Sequence, residues 1–411
     1  MTVSAKDLWQ LLDDALSLAS PSQALHQRMV GFLAFRLARA AGLPPHAQRL
    51  TLQAASLHAI GAVLEPGSPA ASDLDAQDLL LSRTSASLLE GFPAFQPLAA
   101  IVRHCHTPCR ACPSSLGEDV SVPAGLVRLA DALSLMLSPK EPPLFQAPSM
   151  QAMVQDLKGD EFDPLAVSAL ETIPDPETLW MDMAYCPGQV LETALQGCTV
   201  PMEEVLSMAR LISALIDFRS PFTAAHSACV AAVARALASL CGMNAEECLL
   251  MEIAGNLHDL GMLKVPVSLL EKPGPLTFLE LHTVREHPYF TGMLLSRVSG
   301  FEPAADWAAM HHEAPDGTGY PCRLPGDALP LGAGILSLAE CFCALSEDRP
   351  YRRALPDASE LLWKEALFGR VSMEAADVLN THRETLSRLR RQAAQEAQLR
   401  YSRFLEAAGK L

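Results

Sequence analysis

A chain of 411 residues, 49% hydrophobic and 19% charged, has material for two or three globular domains and is neither disordered nor collagen-like. Its 31 basic and 47 acidic residues leave a formal net charge of −16, which argues against broad electrostatic capture of DNA, RNA or an anionic membrane. A phosphate ligand therefore needs a local positive centre, such as a metal or a few placed arginines.

The opening MTVSAKDLWQLLDDAL carries acids where a signal peptide is basic, and no uninterrupted apolar run reaches the roughly 18 residues of a membrane span. The 11 cysteines are an odd, scattered set that fits reduced thiols, so the chain reads as soluble and cytoplasmic. Cys105, Cys109 and Cys112 spell C-x3-C-x2-C, read as a cysteine-rich loop, with a zinc knuckle using His104 or His106 as the alternative. Prolines and Gly188 across residues 173–200 mark a linker. Beyond it, Met208, Leu211, Leu215 and Phe218, then Val230, Val233, Leu237 and Leu240, recur at helical spacing, and alternating β-branched runs are almost absent. From Arg383, Leu386, Leu389, Ala393, Ala397, Tyr401 and Phe404 predict a C-terminal helix, with residues 391–411 set apart as its own segment. The fold class is all-α.

An internal repeat organises these helices. Leu57-His58-Ala59-Ile60-Gly61 matches Leu257-His258-Asp259-Leu260-Gly261 at an offset of 258 − 58 = 200, which His26 and His226 share. Leu129-Ala130-Asp131 matches Leu338-Ala339-Glu340 at 340 − 131 = 209, and His104 pairs with His312 at 208. Two copies of one helical module follow, at residues 1–172 and 201–390.

In the second module His226, His258-Asp259, His287, His311-His312 and Glu340 form a plausible metal shell. Histidine nitrogens with one or two carboxylates suit iron, manganese, zinc or nickel, and an aspartate flanked by separate histidine groups can bridge two ions.

Residues 217–353 resemble the HD-GYP branch of the HD phosphohydrolase superfamily, through FTAAHS at 222–227, LHDLG at 257–261, VPVSLLEKPGPLT at 265–277, REHPYFTG at 285–292, HHEAPDGTGYP at 311–321 and SEDRPYR at 346–352. The resemblance implies an all-helical fold with a binuclear, sometimes trinuclear, non-haem centre that hydrolyses cyclic di-GMP or cyclic GMP-AMP to a linear dinucleotide or mononucleotide. It places His226, His258, Asp259 and Glu340 on one divalent ion and Asp259, His287, His311 and His312 on the other, iron or manganese first and zinc or nickel second. It also places Arg349 and Arg352 on substrate phosphate, and a loop presenting Tyr320 that lines the pocket or docks a signalling partner. A homodimer is a further expectation.

Several positions depart from the pattern. Met262 stands where the family has a lysine, with Lys264 as a catalytic substitute two residues on. Glu340, Cys343, Gly334 and Ala314 replace the usual aspartate, aspartate, arginine and arginine. Phe222 offers no carboxylate for a third ion. These changes feed the alternative, a receptor or adaptor that binds a cyclic dinucleotide or a partner without turnover. The first module is a degenerate HD-like copy: Ala59 removes the bridging carboxylate, His26 and Asp131 read as isolated remnants, and its role is structural or regulatory.

Overall fold

The computed structural model describes residues 2–64, 74–348, 352–355 and 357–410. Helices make up most of it, and strands almost none. The one sheet pairs two-residue strands, Val3–Ser4 antiparallel to Thr199–Val200. All eleven cysteines are free thiols.

The chain divides into two compact units. One comprises Met1–Ala19 with Thr199–Ser402, the other Ser20–Cys198 with Arg403–Leu411. In the first of these, the helix His226–Leu240 packs on Ala245–Leu257 and Leu331–Leu345, and Glu302–Ala309 packs on the latter two. The second repeats the arrangement with Pro21–Ala40 on Pro45–Leu57 and Glu118–Met136, and Gln96–His104 against the latter two. The sequence repeat is thus a repeat of helix pairing.

The local reasons are legible. Ala245–Leu257 begins with a capping box in which Asn244 Oδ1 accepts from the amides of Glu246 and Glu247 and Glu247 returns to the Asn244 amide. Phe278–Arg285 starts with the same device on Thr277 and Glu280. Apolar faces at helical spacing then fill the core, among them Met208, Leu211, Leu215, Val230, Val233 and Leu237.

Two expected boundaries differ. Residues 173–200 are not an unstructured linker: Pro176–Tyr185 and Gln189–Leu195 are helices that bury Leu179, Trp180, Met183, Val190, Leu191 and Leu195. Prolines at helix starts, which need no donor there, had imitated a loop. The N-terminal helix Ala5–Ala19 belongs with the second module, against Met202–Asp217, the turn Leu260–Lys264 and the helix His287–Leu295.

Candidate metal centre

His226 opens its helix, held by the adjacent Ser227, whose amide and hydroxyl donate to the buried Asp217 at 2.9 and 2.8 Å. Burial pushes the Asp217 carboxyl up to about 7, against the pull of His226 and the Ser227 donors. His258 follows the last residue of Ala245–Leu257, and Asp259 leads into the turn Leu260–Lys264. His287 begins the helix His287–Leu295, and His311 lies just beyond the end of Glu302–Ala309.

Three of these rings share one orientation. Nδ1 of His258, His287 and His311 donates to the carbonyls of Gly255, Val284 and Ala308 at 2.9, 2.8 and 2.6 Å. A carbonyl can only accept, so Nδ1 carries a hydrogen in each ring and Nε2 turns inward, open to a metal when the ring holds no second proton. Those nitrogens converge on Asp259: its Oδ2 lies 3.4 Å from His258 Nε2, and its Oδ1 lies 3.2 and 3.9 Å from Nε2 of His287 and His311. His287 and His311 face each other Nε2 to Nε2 at 3.2 Å. His258 Nε2 is buried in a geometry that makes no hydrogen bond. Two ring nitrogens this close beside a half-buried carboxylate need a proton or a metal ion between them, and the donor set suits a transition metal.

Six of the seven expected ligands fall into two groups with metal-ligand spacing, His226·His258·Asp259 and His287·His311·His312, each with its ligand atoms within 4.8 Å of one another. Asp259 lies between them. Glu340, on Leu331–Leu345, joins neither group but is close enough for its charge to act on His258 and His312. Burial would raise the Asp259 carboxyl, yet the imidazoles around it hold it far below the usual range. Burial lowers His258, His311 and His312, the last to about 4.

Tyr320 stacks on His312, ring centroids 4.7 Å apart, and the Arg285 guanidinium lies 4.3 Å over the other component of that wall, the Tyr320 ring. The loop between is pinned by the buried Glu313, which accepts from the amides of Cys322, Arg323 and Leu324. Gly317 takes a positive φ of 75° in this loop, as its turn chemistry predicts.

Lys264 is not brought to the cluster. Its ammonium pairs with Glu286 at 2.8 Å and lies over the Phe290 ring. Arg352 donates to the carbonyls of Ala344, Leu345 and Arg353, so its guanidinium closes a turn of its own segment. Arg349 lies outside the described residues. The sequence reading missed Glu347, which meets His226 Nδ1 at 3.0 Å, and Thr291, which accepts from the Gly261 amide and donates to the His258 carbonyl. Glu347, Glu313 and Arg285 all sit inside the quoted motifs, so the motif text was the available signal for them.

The first module corrects its sequence reading. His26 and Asp131 are not isolated: with His58 they form a third group of metal-ligand spacing. The Gly61 amide donates to Ser85 Oγ as the Gly261 amide donates to Thr291 Oγ1, and Cys105 follows its helix as His311 does, both at an offset of 206 (291 − 85; 311 − 105). That register pairs His106, rather than His104, with His312, and Leu81 with His287. His106 Nε2 indeed reaches Asp131 Oδ2 at 3.2 Å. Among the described residues, none of Cys105, Cys109 and Cys112 joins a metal-spaced group.

The HD domain family matches residues 210–371, the segment that carries all seven expected ligands. The second module is an HD-GYP domain. The 3'3'-cGAMP-specific phosphodiesterase 1 of Vibrio cholerae serotype O1 is 29% identical over 306 residues, 71% of this chain and 71% of that protein. The cyclic di-GMP phosphodiesterase response regulator RpfG of Xanthomonas campestris pv. campestris is 37% identical over 167 residues, 40% of this chain and 44% of that one. The crystal structure of a cyclic GMP-AMP-specific phosphodiesterase of V. cholerae, V-cGAP3, matches at a TM-score of 0.58 and 18% identity, covering 93% of this chain and 98% of that chain, and shares the all-helical fold. Among the described residues no helix is long and apolar enough to cross a membrane.

Proposed function

We propose that the chain is a metal-dependent phosphodiesterase that hydrolyses a cyclic dinucleotide, cyclic GMP-AMP or cyclic di-GMP, with residues 201–390 as the catalytic module and the first module in a structural or regulatory role. The observation that carries this is Asp259, one carboxylate shared between two imidazole groups, three of whose rings are held through Nδ1 by helix-end carbonyls so that Nε2 faces it. One divalent ion would take His226, His258, Asp259 and Glu340, and a second Asp259, His287, His311 and His312. Iron or manganese fits this donor set first, zinc or nickel second. Such a pair supplies Lewis acidity at a phosphodiester and an activated water near neutral pH.

The chain's own residues then divide the remaining work. Glu347 on His226 and the carbonyls on the other rings fix ligand orientation. Arg285 stands beside Tyr320 and His312, where a guanidinium meets phosphate oxygens and an aromatic face meets a base. In an acidic protein, such local positive charge is what admits an anionic substrate. Named relatives act on both dinucleotides, which supports the class and leaves the choice of base to the pocket.

A second reading, binding without turnover, is favoured by one observation: Met262 stands at the lysine position and Lys264 is turned to Glu286 and Phe290. Purified protein loaded anaerobically with Mn²⁺ or Fe²⁺ is to be incubated with each dinucleotide and the products separated by chromatography. Linear product from at least one, lost together with bound metal in Asp259→Ala, is expected. Tight binding with no product favours the receptor. Full activity in Asp259→Ala places the chemistry elsewhere.

A further inference from the structure

We propose that the Ser20–Cys198 unit holds one divalent transition-metal ion of its own, ligated by Nε2 of His26 and His58 and by the carboxylate of Asp131, whose other oxygen is held by His106. The proposal does not depend on the reading of the second module.

Geometry carries it. Asp131 Oδ1 lies 3.0 Å from His26 Nε2 and 3.2 Å from His58 Nε2, and Oδ2 lies 3.2 Å from His106 Nε2. The ligand atoms of His26, His58 and Asp131 all lie within 4.8 Å of one another, the spacing that ligands of one ion can take. Outer partners orient the rings. His58 Nδ1 donates to the Ala55 carbonyl at 2.7 Å and His106 Nδ1 to the Asp78 carbonyl at 2.8 Å, so the outer nitrogen of each ring carries a hydrogen and Nε2 faces the carboxylate. His26 Nδ1 meets Ser134 Oγ at 3.0 Å, a partner that anchors the ring and can either donate or accept. Imidazoles held from behind by an outer partner are the arrangement of ligating histidines.

The unit also shows why it would hold one ion and not two. Ala59 replaces the bridging carboxylate, Leu81 replaces the second group's first imidazole, and Cys105 hydrogen-bonds its own helix-end carbonyl through Sγ. What survives is a single three-ligand set, His26, His58 and Asp131, with His106 beyond it on the second oxygen of Asp131. These side chains are 21%, 1%, 4% and 10% exposed for His26, His58, His106 and Asp131, and they come from four separate segments. A cation on this set would clip together the helices that carry its ligands. The cation would thus do in this unit what the lost second-ion ligands no longer require of it: join Pro21–Ala40, the end of Pro45–Leu57 and Glu118–Met136, with the residues after Gln96–His104 held to Asp131 through His106.

The test uses the full chain and zinc as the probe. Asp259→Ala combined with His311→Ala is loaded with Zn²⁺, desalted and analysed for metal per chain, with folding checked by circular dichroism. One equivalent retained, and lost when Asp131→Asn is added, is expected. A folded double variant with under about a tenth of an equivalent, or a triple variant that keeps a full equivalent, overturns the proposal. Because either variant could misfold, His106→Gln in the otherwise unaltered chain is the second measurement. One of its zinc equivalents should yield to a competing chelator at least about tenfold more readily; unchanged retention of every equivalent means a metal-free hydrogen-bonded network. Metal held by the unaltered chain but absent from the double variant sinks this site and leaves the second-module centre standing. Equal metal in both does the reverse.

Discussion

At Gly261 the turn Leu260–Lys264 runs so close to the next helix that a Cβ would fall on the His287 carbonyl oxygen. The amide of the same residue donates to Thr291, which in turn holds the His258 carbonyl, so Asp259 is positioned by backbone approach rather than by its own side-chain partners. Gly261→Ala must therefore separate the two imidazole groups that Asp259 serves. We expect it to cost about 1–3 kcal/mol in chemical unfolding, as overpacking does, and to lower metal retained after desalting. An unchanged unfolding midpoint with full metal retention would show that the turn yields freely. At this scale the sequence displayed the histidines and Asp259 in order, and the structure brings them together. It did not display what Glu313 or Thr291 does, because each acts through hydrogen bonds to backbone groups that no side-chain pattern encodes. Lys264 shows the converse: two residues from the lysine position in the chain, it turns outward because the intervening 3-10 turn rotates it towards Glu286 and Phe290.

The ends of helices do the work of building these clusters. His58, His258 and His311 each lie one or two residues past a helix C-terminus, and each donates to one of that helix's last carbonyls. One hydrogen bond thereby caps the helix and selects the tautomer. The pH consequence follows from the sign of the shifts. Burial depresses His258, His311 and His312, the last to about 4 from 6.5, so the folded metal-free protein holds these rings neutral while the unfolded chain protonates them. Above about pH 6.5 both states are neutral there and stability is at its full value; as pH falls from 6.5 towards 4 the unfolded state binds more protons and stability declines. Protons compete with metal for the same nitrogens over the same window, so retention falls too. Urea midpoints of chelated and metal-loaded protein between pH 4.5 and 8 check this. A metal-free midpoint that rises on acidification would mean the rings are charged in the fold. None of this was legible from residue order alone, since helix ends shift by a residue or two with context, and the 208 offset from His104 to His312 missed by two for that reason.

Across the whole molecule the helical class and the internal repeat were legible because both rest on periodicity and residue order, which survive divergence. The partition of the chain was not. A repeat assigns residues to the copy they adjoin in sequence, whereas packing assigns them to whichever apolar surface they cover. Ala5–Ala19 shows the difference: it buries Leu8, Trp9, Leu11, Leu12 and Leu16 in the unit that carries Asp259, and it packs on the turn Leu260–Lys264 itself. Removing a large buried side chain there should act on the metal centre through the turn that presents it, although the substitution is 250 positions away in the chain (259 − 9). Trp9→Ala is expected to lower stability by about 3–5 kcal/mol, the usual cost of such a cavity, and to weaken metal retention by the His226–Glu340 module along with it. Phe145→Ala, at a side chain that is 73% exposed, serves as the matched control and should change neither. If Trp9→Ala melted like the control, the N-terminal helix would not belong to the fold of the second module. Loss of stability with metal retention intact would mean that it stabilises the unit without bracing the turn.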